Sequence, residues 1–189
     1  MKHAISFVWL IGLLGLSAAG VVMAQGAGRT QQAAAFSFGD AKYFHRYTIN
    51  DQHEYTPAGQ EDLKAWADMV TINVYPKAKD GDALAATANS VLGTYKAHKG
   101  VIVNTNSIPR TNSKPAEHLV VAVLGRPAFL EAVFARFKMH EGTGIAVIYS
   151  HRIYGKGVGD QMSEWLKQRG PATEKALLQW NAVPKLPGK

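Results

Sequence analysis

Polar and apolar positions alternate most cleanly over Asp68 to Tyr75. Val70, Ile72 and Val74 share one face there, and Met69, Thr71, Asn73 and Tyr75 the other, a period of two that predicts a strand. Pro76 ends it, and Lys77 to Gly81 makes the turn. Asp82 then stands as an N-cap, and Leu84, Ala88, Val91 and Tyr95 recur at helical spacing as one apolar stripe, closed by Gly100. Before this unit, Phe44 to Asn50 alternates as a first strand, and Asp51 to Gln60, with Pro57 and Gly59, reads as a loop. After it come a short strand over Val101 to Asn106 and a polar loop over Ser107 to Pro115. His118 to Gly125 is an apolar run long enough for a buried strand. Phe129 to Met139 and Ile145 to Tyr154 are strands flanking the turn signal Glu141-Gly142-Thr143-Gly144.

Gly155 to Gly159 is a glycine-rich loop. Asp160 caps a helix carrying Met162, Trp165 and Leu166, which Gly170-Pro171 stops while starting another with Ala176, Leu177 and Trp180. Strands that follow one another through short connections pair antiparallel. The expected class is therefore α+β: an antiparallel sheet of about five or six strands, one helix after an early strand, and two C-terminal helices packed on the sheet. The expected core is Val70, Ile72, Val74, Leu84, Val91, Tyr95, Val121, Val123, Phe137, Ile148, Trp165 and Leu166.

The N-terminus changes the picture of where this domain works. Met1-Lys2-His3 is a short basic segment, Phe7 to Leu16 an apolar run, and Val22-Met23-Ala24 a small-residue cleavage triplet. Residues 1–24 read as a signal peptide, 25–43 as a flexible lead-in, 44–183 as a single α+β domain and 184–189 as a tail. The expected location is periplasmic or secreted, with no stable membrane insertion after cleavage. The chain has no cysteine, which excludes disulfides, thiolate metal sites, a cysteine nucleophile and an N-terminal lipid anchor on cysteine. Its formal charge of +7 favours anionic partners. After export these are an acidic envelope protein or an anionic ligand rather than nucleic acid.

The order β–α–β–β–β–β–α, together with the entry Trp66-Ala67-Asp68-Met69-Val70-Thr71 into a strand, resembles the PsbP-like α/β sandwich and small exported bacterial proteins of no assigned activity. The resemblance covers Phe44 to Arg169. It implies an adaptor or accessory subunit rather than an enzyme, and it transfers no site residues.

Little in the sequence assembles into chemistry. The histidines past the leader, His45, His53, His98, His118, His140 and His151, form no zinc-site spacing, so no metal or other cofactor is expected. Gly155-Lys156-Gly157-Val158-Gly159-Asp160 puts a carboxylate where a phosphate loop would bind an anion. Ser150 and His151 are adjacent in a strand and point to opposite faces, and Ser90 lacks a nucleophile elbow. No catalytic residue is therefore assigned. The one constellation that gathers is the hairpin. With its tip at Gly142-Thr143, His140 opposes Ile145, Lys138 opposes Val147, Arg136 opposes Tyr149, and Phe134 opposes His151. Arg136, Lys138, His140, Tyr149 and His151 then form a basic, aromatic face for binding an anion, while Val133, Ala135, Phe137, Met139, Ala146 and Ile148 form the core face. The expected function is a non-enzymatic exported accessory or binding protein, the alternative an envelope hydrolase whose site assembles from residues distant in sequence.

Overall fold

A computed structural model describes residues 33–186; the signal-peptide reading, residues 25–32 of the lead-in and the end of the tail lie outside them. The chain runs β1 (Phe36–Phe38), β2 (Ala41–Ile49), β3 (Gln52–Pro57), β4 (Asp68–Tyr75), α1 (Gly81–Ala97), β5 (Val101–Ile108), β6 (Glu117–Arg126), β7 (Phe129–His140), β8 (Thr143–Tyr154) and α2 (Gly159–Gln179). The strands form one sheet in the order β1-β2-β3-β4-β8-β7-β6-β5, with every neighbouring pair antiparallel. The two longest strands, β7 and β8, lie near its middle.

The α+β class stands, but the expected arrangement of about five or six strands with two C-terminal helices does not. Among the described residues there are eight strands and one C-terminal helix. Two strands lie where a lead-in and a loop were expected. β1 buries Phe36 and Phe38 against the sheet, and β2 starts at Ala41 rather than Phe44. β3 forms because its alternation is carried by His53 and Tyr55, both almost wholly buried, which a scale of aliphatic residues passes over. The expected pair of C-terminal helices is a single α2 running through Gly170-Pro171. Proline removes one intrahelical hydrogen bond and bends a helix. Met162 and Leu177 are both buried against the sheet, so apolar contacts on either side of Pro171 hold the helix in place.

Helix α1 is capped two residues earlier than expected. Asp80 is the N-cap, its carboxylate accepting the Ala83 N–H at 2.8 Å, while Asp82 sits in the first turn and complements the helix dipole. The α2 N-cap is Val158, without a side-chain cap; Asp160 lies in its first turn.

The two helices cover opposite faces of the sheet. Leu84, Ala88, Val91 and Tyr95 of α1 pack on Val120, Ala122, Val133, Ala135, Phe137, Ala146 and Ile148. Met162, Trp165, Leu166 and Leu177 of α2 pack over Val121, Phe134, Val147 and Tyr149, with Tyr43, Tyr55, Val70, Ile72 and Val74 continuing that core. Of the expected core, Val123, Trp165 and Leu166 are half-buried and the other nine buried. The hairpin tip is Glu141-Gly142, not Gly142-Thr143. Both residues have positive φ, 50° and 72°, as a two-residue type I′ turn requires. His140 therefore faces Thr143, Lys138 faces Ile145, Arg136 faces Val147, and Phe134 faces Tyr149. The shift from the expected register is two residues, so every side chain keeps its face.

Candidate functional site

The five residues expected to form an open basic face do share one side of the β7–β8 hairpin, but that side lies under α2. Arg136 is 2% exposed. Its guanidinium contacts Glu117 at 2.6 Å, and its Nη1 donates to the carbonyls of Leu177 at 2.8 Å and Trp180 at 2.6 Å. Those carbonyls belong to the C-terminal end of α2, where backbone acceptors lack helical partners and partial negative charge collects. Lys138 donates to Asn181 Oδ1 at 2.6 Å, just beyond the same helix end. Burial, and next the Arg136 charge, lower the Lys138 pKa. Arg136 thus caps a helix of its own chain, and Lys138 holds the segment that follows it.

Tyr149 and His151 converge on Asp68 at the start of β4. The Tyr149 hydroxyl donates to Asp68 Oδ1 at 2.7 Å, and His151 Nδ1 approaches the same oxygen at 2.9 Å. The backbone N–H groups of Ala67 and Asp68 both donate to Gln60 Oε1. Burial opposes ionisation of Asp68, but the hydrogen bonds from His151 and Tyr149, with the His151 charge, outweigh it and hold the carboxyl below its ordinary range. Burial and then the Asp68 charge push the Tyr149 phenol strongly upward, so it remains a proton donor. The His151 ring stacks on Trp165 of α2, 4.2 Å between centroids and 4° from parallel. His140 stands apart at the hairpin end, 4.0 Å from Glu141.

An acid–base reading of Asp68 and His151 needs a nucleophile. The groups that reach Asp68 beside His151 are the Tyr149 hydroxyl and the Gln60 amide, and Ser150 points to the α1 side of β8. The neighbouring Trp66 is likewise engaged within the fold, its ring 3.7 Å from the Arg152 guanidinium, which also lies 4.2 Å from the Phe129 ring and bonds Glu131 at 2.7 Å. Among the described residues no three His, Asp or Glu side chains gather as metal ligands.

The surface that remains available is one that the hydrophobic pattern does not single out. β5 is the edge strand beside β6, and among the described residues its outer side carries no partner strand. Four large apolar side chains are exposed among the described residues, and three belong to this strand: Val101 at 66%, Val103 at 49% and Ile108 at 40%. The register with β6 breaks between Ile102 and Asn104, and this bulge leaves both Val103 and Asn104 on the side of α2. There they border a groove of about 560 Å³ between β5 and the helix. Val121 and Phe134 supply its sheet side, Leu166, Pro171 and Leu178 its helix side, and Glu174, Lys175 and Gln179 its polar margin. Gly170 and Pro171 of α2 also line the groove, and neither carries a long side chain to fill it. Glu174 ties the helix to the strand by accepting from Asn104 at 3.0 Å and Asn106 at 3.3 Å. The available signal is the uncharged run Val101 to Ile108 itself, since an edge strand is recognisable only once the pairing order is known.

No protein-family model matches this chain, and no curated protein does. Among solved structures, the Saccharomyces cerevisiae Ran-binding protein Mog1p is 13% identical over 72% of this chain and 82% of its own, with a TM-score of 0.47, and a point mutant of Mog1 gives the same values. Human STARD10 is 10% identical over 73% of this chain and 74% of its own, with a TM-score of 0.32. These are distant likenesses of α/β architecture, and they do not single out the PsbP-like sandwich.

Proposed function

We propose that this chain is an exported, non-enzymatic accessory protein that docks a partner protein through strand β5 and the groove beside it. The observation that carries the reading is the concentration of exposed valine and isoleucine on one unpaired edge strand next to an apolar groove. Exposed apolar surface rimmed by polar groups marks interaction sites, and grooves of roughly 300–1,000 Å³ are large enough to seat side chains or a small ligand. The Arg136–Lys138 and Asp68–Tyr149–His151 clusters bind groups of their own chain, whereas the exposed apolar side chains of β5 stand free for a partner. Export rests on the leader pattern at residues 1–24.

Site-specific photo-crosslinking in producing cells tests this. A photoreactive residue at Val103 should give a discrete adduct in the exported fraction, and one at Asn89, exposed on α1, should not. Equal labelling from both positions, or none at Val103, overturns the docking surface. Recovery of the protein only in the cytoplasm overturns export.

A further inference from the structure

We propose that the occupant of β5 is an extended segment of a partner protein, added to the sheet as a further antiparallel or parallel strand, with an apolar centre and acidic residues at its ends. This rests on the docking reading above and names its partner class. Two features of β5 point to main-chain recognition. It is the last strand of the sheet among the described residues, so half of its N–H and C=O groups face away from β6. It also carries no charged residue over Val101 to Ile108 and no proline to remove a donor. Strand addition takes affinity from such open backbone groups and specificity from pockets for alternate side chains. The groove beside Val103 and Asn104 is such a pocket on the α2 side.

Charge selects the partner. Lys96 and Lys99 precede the strand and Arg110 and Lys114 follow it, all exposed, and none is ion-paired among the described residues. Each end of β5 is therefore flanked by cations, while the strand itself carries no charge and the Glu174 carboxylate approaches its centre from the α2 side. A second copy of this chain is disfavoured as occupant. Antiparallel pairing of two β5 strands, Val101 against Ile108, would bring the Lys99 end of one to the Arg110 end of the other, and like charges across a strand pair are destabilising. Flanking cations of this kind protect an apolar edge from self-association. A segment with acidic ends meets the same four cations favourably in either strand direction.

The probe is a fluorescent peptide of alternating valine and threonine, matched to β5 in length, with a pair of acidic residues at each end, titrated against the full chain by fluorescence anisotropy. Its lysine-ended counterpart should bind roughly tenfold more weakly or not at all, and the difference should shrink with salt as exposed charges are screened. Two further peptides carry backbone N-methyl groups on alternate residues. One pattern blocks the N–H groups facing β5 and should lose roughly tenfold or more, because each main-chain hydrogen bond it removes contributes to binding. The other leaves them free and should bind as the parent does. Equal binding of both methylated peptides overturns strand addition, and equal binding of the acidic and lysine-ended peptides overturns the acidic partner. If none of the peptides binds while the Val103 crosslink still forms, the strand-addition proposal fails and the docking surface survives. A concentration-dependent dimer in analytical ultracentrifugation that Val101→Lys with Ile108→Lys dissolves assigns β5 to a second copy and overturns the proposal.

Discussion

Strands β7 and β5 lie on either side of β6, yet they reverse the usual placement of charge and apolarity. β7 carries Glu131, Arg136 and Lys138, and all three are buried; β5 carries no charge, and Val101, Val103 and Ile108 stand in water. The difference lies in what covers each strand. β7 is sandwiched between α1 and α2, and its Arg136 meets the carbonyl end of α2 while its Lys138 bonds Asn181 just beyond it. β5 lies at the margin of both helices, with one edge unpaired. Polarity alone does not place a side chain. A buried cation is stable where a helix terminus supplies acceptors, and a valine stays exposed where no element lies beyond it.

The sharpest way to break this comparison is Arg136→Ala. Removing one partner of a buried pair leaves Glu117 and two helix-end carbonyls without their donor, and such losses cost about 3–5 kcal/mol. Urea denaturation should show a correspondingly lower midpoint that added salt does not restore. A midpoint within error of the parent would mean that α2 is held by its apolar stripe alone.

Asp68→Asn should have a smaller effect, about 1–3 kcal/mol, by weakening the charge-assisted bonds from Tyr149 and His151. The pH dependence carries the sign. Asp68 has a folded pKa below its unfolded value of roughly 3.9. Its stabilisation is therefore complete above that value and lost as pH falls through the folded one. The parent should lose stability steeply below about pH 4, and Asp68→Asn should flatten that limb. Parallel acid limbs would remove Asp68 from the account of how β4 and β8 are joined.

The smallest effect belongs to β5. Val101→Thr with Ile108→Thr should change unfolding free energy by no more than about half a kcal/mol per site, as exposed substitutions do. Thr also suits a strand. The same double substitution should weaken the adduct formed from Val103. A large destabilisation would show that these side chains are covered within the fold, and the contrast with β7 would collapse.

Much of the fold is legible in the amino-acid sequence alone. The period of two over Asp68 to Tyr75 and the spacing of Leu84, Ala88, Val91 and Tyr95 predict β4 and α1, because both signals are local consequences of backbone geometry. The face assignment of Arg136, Lys138, His140, Tyr149 and His151 also survives, since a two-residue error in hairpin register leaves parity intact. β3 escapes such a reading because His53 and Tyr55 carry its buried face, and β1 because three residues hold no period of their own. α2 reads as two helices because Gly-Pro is a strong local stop, and only burial of both Met162 and Leu177 overrides it.

Which side chains share a face, where charge is absent, and most of which segments are strands or helices follow from neighbours a few residues apart, and local sequence is enough to specify them. Tertiary packing alone covers the basic face with α2 and leaves the apolar β5 as an edge. Covering depends on contacts between residues such as Arg136 and Trp180, 44 positions apart in the chain, and on strand order, and neither is encoded in any local period.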